Sequence, residues 1–284
     1  MSVAVVTDST TYVPAELLDE LDVRRVDLYV GWDGDMRAES EWIDLDAFYA
    51  RLQESERTPT TSQPSVGDFT AAYEPLLEAG REIVSIHIPV ALSGTCESAR
   101  EAARSLGAED RIRVIDGRTG AGGLGCLVIA AAEAARAGAG AADVEAAVDD
   151  ARSELDIWFC LETLEFLRKG GRIGAAQALV GSALRIKPVL TFGTEIAPVG
   201  RVRTSRRALE RMEEYLEELQ ARGATDWIVQ HAQSRDAADH LVSRGREVLG
   251  KPPLFCTQVG PVLGAHLGKG MLVGGMRRSE PSAP

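Results

Sequence analysis

Cysteine is scarce in this chain. Its 284 residues hold four, Cys96, Cys126, Cys160 and Cys256, far apart in apolar or small-residue surroundings and with no CxxC pair. That spacing excludes a disulfide scaffold and a structural zinc site, and the four read as buried free thiols of a protein kept in a reducing cytoplasm. Histidine is equally rare, with four residues and no HxxxH or HExxH pair, so no metal is expected. Positive charge is also in deficit. Lys and Arg number 31 against 43 Asp and Glu, a net charge of -12 that would repel a phosphate backbone, which argues against a nucleic-acid partner.

Long apolar runs are missing too. The alanine-rich stretch from Leu124 to Ala142 is interrupted by Glu133, Arg136, Gly138 and Gly140, which argues against a membrane span and against stable insertion. The opening MSVAVVTDST carries no basic region and too short an apolar run for a secretion signal, so the expected location is the cytosol. Walker spacing, a GxSxG elbow and internal repeats are all absent. What is present is an ordinary globular composition, 45% hydrophobic and 26% charged, in a chain long enough for two domains of about 130 to 150 residues.

Val3 to Thr7 is a β-branched apolar run ending in Asp8 and Ser9, the pattern of a buried parallel strand opening into a loop. A helix after Pro14 and one strand over Val23 to Val30 follow, then a helix capped by Asp44. Further on come a helix around Phe69 and Tyr73, a strand at Ile83 to Ile88, a helix from Thr95 to Leu106, a strand at Ile112 to Ile115 and one helical region from about Gly120 to Arg152. Alternating strands and helices predict a parallel sheet, with any ligand beyond the strand C-termini, where Asp8, Ser9, Ser93 and Asp116 would lie.

The second half has a different rhythm. Strands are predicted at Ile157 to Leu161, Lys187 to Phe192, Ile196 to Val202, Trp227 to Gln230, Leu254 to Gln258 and Met271 to Gly275, with a hairpin at Gly193 to Glu195 and a helix over Ser205 to Leu219. This predicts a mixed sheet covered by helices on one face. The domains are placed at 1–153 and 154–278, with 279–284 an unstructured tail.

Four loop segments concentrate hydroxyls, glycine or histidine: TTSQPS, ALSGT, RKGGRIG and GAHLGKG. Pro59 and Pro64 hold Thr60 to Ser62 extended, as either a preformed hydroxyl site or a plain connection. Ser93 and Gly94 sit where a strand passes into a helix, so Ser93 either helps bind an anion at free backbone amides or merely caps the helix. His266 is a base, a hydrogen-bond donor or a histidine satisfied in a turn. His87, His231 and His240 have no comparable context and read as structural. Arg172, in RKGGRIG, and Arg201 and Arg203, in RVRTSRR, are candidate phosphate or partner contacts, with a solvated surface as the alternative.

In this order, TDST at 7–10, TTSQPS at 60–65, LSGT at 92–95, KGGRIG with IKPVL at 169–190 and GAHLGKG at 264–270 resemble the DegV family across nearly the whole chain. The resemblance implies a two-domain α/β fold, an N-terminal three-layer α/β/α domain with a mainly parallel sheet and a C-terminal domain with a mixed one. It also implies a fatty-acid-binding protein without a cofactor or nucleotide site, similar to the acyl-carrying subunit of bacterial fatty acid kinase. Such a subunit holds a long-chain fatty acid while a separate ATP-dependent kinase subunit phosphorylates the carboxylate, then carries the acyl phosphate to enzymes of phospholipid synthesis. By position, Thr61, Ser62, Ser93 and Gly94 correspond to the carboxylate-binding motifs and His266 to the histidine near the head group. Cys96 stands where an aromatic residue is common in the family, and Lys269 where proline is usual. Two rival readings are an acyl hydrolase or transferase with Ser93 as nucleophile and His266 as base, and a lipid-responsive interaction protein.

Overall fold

Val3 and Val5 face one way and Ala4 and Val6 the other, and all four are buried, so the first strand needs cover on both sides. The computed structural model describes residues 2–180 and 186–277. Along the chain run β1 (Val3–Asp8), α1 (Ala15–Glu20), β2 (Val23–Val26), β3 (Tyr29–Trp32), β4 (Asp35–Ala38), α2 (Leu45–Glu54), β5 (Thr60–Ser62) and α3 (Val66–Glu78). Then come β6 (Glu82–His87), α4 (Thr95–Ser105), β7 (Ile112–Asp116), α5 (Gly122–Arg136) and α6 (Ala141–Glu154). Strands β2-β1-β6-β7 form a parallel sheet in that order. Phe69, Tyr73, Ala99 and Ala102 of α3 and α4 cover one face, and α5 and α6 cover the other.

The second half contributes β8 (Leu155–Leu161), α7 (Glu165–Lys169), β9 (Lys187–Phe192), β10 (Ile196–Val202) and α8 (Ser205–Ala221). It closes with β11 (Asp226–Ala232), α9 (Arg235–Leu249), β12 (Cys256–Gln258), α10 (Pro261–Leu267) and β13 (Gly270–Met276). These strands make a six-stranded sheet, β10-β9-β8-β13-β11-β12, antiparallel except for the β11/β12 pair. The mixed sheet and the β9/β10 hairpin are as expected from sequence. No helix among the described residues is long and apolar enough to cross a membrane.

Four expectations need correction. Val23 to Val30 is two strands, because the chain leaves the parallel sheet at Asp27 and the Leu28 amide donates to Ser9 Oγ at 3.1 Å. β3 instead anchors a small antiparallel sheet, β4-β3-β5, that the sequence did not signal. The helical region 120–152 breaks into α5 and α6 around Gly138, whose φ of +89° suits glycine. The mixed sheet is covered on both faces, by α8 and α9 on one and by α5 on the other. Cys256 is exposed, whereas the other three cysteines are buried. The expected tail at 279–284 lies outside the described residues.

α5 explains the join between the sheets. Its Leu124, Cys126, Leu127, Val128 and Ala131 are buried on all sides, the signature of a helix within a core and not on a surface. Its glycines permit close approach: a Cβ at Gly125 would lie 2.6 Å from Val13 Cγ2, and one at Gly123 would lie 2.5 Å from Thr119 Oγ1. One continuous apolar cluster therefore runs from Val3 and Ile86 through α5 to Ile157, Ile228 and Leu272.

Candidate functional site

The prolines flanking TTSQ deliver an extended segment, as read from sequence: β5 pairs with β3, and Thr61 sits opposite Val30. Strand alternation turns Thr61 inward and leaves Thr60 and Ser62 exposed. A capping box fixes the exit into α3, since Ser65 Oγ accepts from the Asp68 amide at 3.1 Å and Asp68 Oδ2 accepts from the Ser65 amide at 2.7 Å. Thr61 Oγ1 then lies 2.8 Å from His266 Nε2, across 205 positions of sequence.

His266 is carried on α10, not in a turn. Pro261 opens that helix, and Gly268, at φ +64°, closes it. Gly264 lets the helix rest on Tyr49, whose hydroxyl a Cβ there would approach to 2.5 Å. Glu39 Oε1 accepts from the Val262 amide at 2.8 Å and from Tyr12 Oη at 2.9 Å, and Tyr12 Oη accepts from the Leu263 amide at 3.0 Å. The helix start is thus pinned by two side chains remote in sequence. Burial, aided by the Arg172 charge, pushes the His266 imidazole down to about 4, so it is neutral at physiological pH. Its Nδ1 is buried without a partner, and Gly170 packs so closely on the ring that a Cβ there would overlap it.

The ALSGT loop approaches from the parallel sheet. Gly94 is the N-cap of α4 and offers no side chain, while Ser93, one residue earlier, accepts from the Thr95 amide at 3.4 Å and has its Oγ 2.8 Å from Thr95 Oγ1. A Cβ at Gly94 would stand 2.6 Å from Gln63 Nε2, which is how this glycine lets the TTSQ and LSGT loops touch. RKGGRIG completes the ring. Arg172 Nε donates to the Leu92 carbonyl at 3.3 Å and Nη1 to the Gly170 carbonyl at 2.7 Å.

These groups share one small cavity of about 60 Å³. Thr61, Ser62, Gln63, Ser93, Arg172 and His266 are its polar lining, and the rest is leucine, isoleucine, valine and Phe192. Arg201 and Arg203 are elsewhere. Arg203 faces a separate groove beside Glu162, Arg168 and Lys187, and Arg201 is exposed on β10. Of the three arginines singled out from sequence, only Arg172 reaches the hydroxyl cluster.

Asp8 and Asp116 do end strands, but neither opens to a ligand. Asp8 is fully buried and accepts from the Thr10 amide (3.0 Å), Thr10 Oγ1 (2.5 Å) and the Ile88 amide (2.9 Å), bracing β1 to β6. Asp116 accepts from the Arg118 amide within its own turn. His87 stands 3.2 Å from Asp8 and 2.7 Å from Ser85 Oγ, which also receives Tyr73 Oη. That chain has the order of a catalytic triad yet has no solvent exposure at Asp8, Ser85 or His87, so it braces the sheet. The Ser93/His266 pair of the hydrolase reading is not formed either: His266 Nε2 is engaged by Thr61 and Ser93 by Thr95, and no acid orients Nδ1. Sequence reasoning missed Gln63, Gly170 and the Tyr12, Glu39 and Tyr49 supports. None carries a local signal, because each acts on a distant segment.

Comparison with known proteins gives the family of the chain. The family model described as "Uncharacterised protein, DegV family" matches residues 2–274. A DegV domain-containing protein of Streptomyces coelicolor is 38% identical over 95% of this chain and 96% of its own. Among solved structures, a fatty-acid-binding DegV family protein from Thermus thermophilus matches with a TM-score of 0.86 at 32% identity, covering 98% of this chain and 100% of that one. DegV from Bacillus subtilis, a fatty acid binding protein, matches with a TM-score of 0.86 at 29% identity over the same shares. The chain belongs to the DegV family.

Proposed function

We propose that the protein binds a long-chain fatty acid, with the acyl chain in the apolar part of the cavity and the carboxylate among Thr61, Ser93 and His266. The observation that carries this reading is the Thr61–His266 contact in the wall of a largely apolar cavity that Ser93 and Arg172 also line. The fatty-acid-binding relatives from Thermus thermophilus and Bacillus subtilis support it. Each buried methylene contributes about 0.8 kcal/mol before association costs, so the tail supplies most of the affinity and the head group sets orientation. A buried carboxylate needs donors, and hydroxyls with an imidazole N–H provide them. Small-molecule pockets usually enclose about 300 to 1,000 Å³, so loading requires lining side chains such as Leu263 and Phe192 to swing aside.

In this reading the protein is a carrier. A separate ATP-dependent kinase phosphorylates the presented carboxylate, and the acyl phosphate passes to enzymes of phospholipid synthesis. Neutral donors favour that step because they leave the carboxylate nucleophilic, and Arg172 directs its Nε and Nη1 to the Leu92 and Gly170 carbonyls. Native mass spectrometry and lipid extraction of the purified protein test the binding: a co-purifying fatty acid is expected. No lipid, together with no thermal shift on adding stearate or oleate, would overturn it. Alanine at Thr61 or Ser93 is expected to slow kinase-coupled acyl phosphate formation. Charge reversal at Arg201 and Arg203 is expected to weaken that coupling while lipid affinity holds, and unchanged coupling would remove these residues from the partner surface.

A further inference from the structure

A groove of about 790 Å³ at the end of the mixed sheet shares no lining residue with the cavity around Thr61 and His266. Its wall includes His231 and Gln258, register partners at the C-terminal ends of the parallel strands β11 and β12. Ser205 and Arg206 of α8 and Ser234 and Arg235 at the start of α9 line its rim. Ligands of open α/β sheets collect beyond such strand ends.

Two features mark the groove as built for a polar ligand. His231 is only 4% exposed, yet its Nδ1 has no hydrogen-bond partner, and the amide nitrogen of Gln258 beside it is also buried and unpartnered. Buried polar groups are normally satisfied, so two adjacent exceptions in one groove wall ask for a partner. The start of α9 is open in the same way. Ser234 turns its hydroxyl to the Ala232 carbonyl and makes no cap, whereas Thr204 caps α8 by accepting from the Arg207 amide. The first turn of this 15-residue helix therefore has no side-chain cap, and Ser234, Arg235, Asp236 and Ala237 all line the groove with Lys269.

Carboxylates are present as well. Asp46 accepts from Gln233 Nε2 at 2.7 Å, Glu162 pairs with Lys187, and Asp236 sits in the first turn of α9. Arg206 pairs with Glu210, Arg235 lies 3.4 Å from Asp239, and His240 pairs with Glu213. Since Arg206, Arg235 and Lys269 balance Asp46, Glu162 and Asp236, selection rests on convergent donors and not on bulk charge. We propose that this groove is a second site, which takes a phosphate group on the α9 amides, Arg235 and His231. Asp46 and Glu162 accept hydroxyls where that phosphate is carried by a polyol.

Isothermal titration of the full chain with inorganic phosphate, at constant ionic strength and against a chloride control, tests the site. Saturable millimolar binding is expected, tenfold tighter for ribose 5-phosphate if the source is an ester and equal if it is the free anion. Arg235→Ala should weaken phosphate at least tenfold. Ser234→Asp places a carboxylate over the same amides, so it should abolish phosphate binding while raising the melting temperature. Oleate affinity at the other cavity should be unchanged in both variants. NMR should show the His231 imidazole becoming easier to protonate with phosphate bound. No heat and no His231 shift at 20 mM phosphate, or wild-type phosphate binding by S234D, would overturn the proposal.

Discussion

At residue scale the proposed head-group site depends on one imidazole held by a glycine and a threonine. Gly170 has ordinary helical backbone, φ -77°, so Gly170→Ala acts mainly through the His266 ring, which its Cβ would meet at 2.2 Å, with the Phe166 carbonyl next at 3.2 Å. Circular dichroism should show G170A folded, while fatty acid affinity drops about tenfold or more, the cost of losing a hydrogen bond to a charged group. Thr61→Ala should give a similar loss with His266 in place. The neutral state of His266 also has a pH signature. Its folded value of about 4 lies below the ordinary 6.5, so the unfolded chain binds the extra proton between those limits. The stability contributed by the neutral ring is complete above 6.5 and is lost as pH falls towards 4, at up to about 1.4 kcal/mol per pH unit. Urea titrations of His266→Gln should lack that component, and an unchanged slope would show that His266 does not titrate there.

At element scale the feature that matters is α10, a seven-residue helix too short to hold itself. Glu39 and Tyr12 fasten its start, and the Tyr49 hydroxyl donates to the Val259 carbonyl at 2.9 Å just ahead of it. Burial raises the Glu39 carboxyl to about 7, and its Oε2 has no partner. Here the sign is opposite to that of His266: stability is greatest below the ordinary 4.5 and declines as pH rises through 7. Glu39→Gln keeps an acceptor for Val262 and Tyr12 without the buried charge. It should match wild type below pH 4.5 and exceed it at pH 8 by up to about 3 kcal/mol, read by urea unfolding. Equal stability at pH 8 would mean the charge is solvated.

At the scale of the whole molecule, α5 and Gln230 join the two large sheets. Gln230 is fully buried; its Oε1 accepts from the Gly122 amide at 2.6 Å, and its Nε2 donates to the Thr11 carbonyl at 3.1 Å and Thr257 Oγ1 at 3.0 Å. Gln230→Leu keeps much of the volume and leaves those partners unpaired, a loss of about 2 to 4 kcal/mol. Because one apolar cluster crosses the boundary proposed at 153/154, urea unfolding should be a single transition by both tryptophan fluorescence and circular dichroism, with Q230L shifting its midpoint. Two separated transitions would mean that the halves fold independently.

Much of this was legible in the sequence, for physical reasons that are local. β-branched runs, proline at Pro59 and Pro64 and the pattern of apolar residues set the strands, the helices and the extended presentation of Thr61. The order of five short motifs pointed to the family. Three-dimensional packing decided the rest. Val23 to Val30 has the propensity of one strand, and tertiary contacts divide it, the Leu28 amide donating to Ser9 Oγ and its carbonyl accepting from the Glu39 amide. Arg172 reads alike as a partner contact or a solvated turn until the Leu92 carbonyl, 80 positions away, receives it. His87 lacks any sequence context that separates a brace from a base, and complete burial makes it a brace. Composition and spacing determined which residue types are available and which backbone carries them. Whether a hydroxyl meets an imidazole, or a carboxylate closes on a helix start, depends on contacts between segments far apart in the chain, and those exist only once the core around α5 has formed.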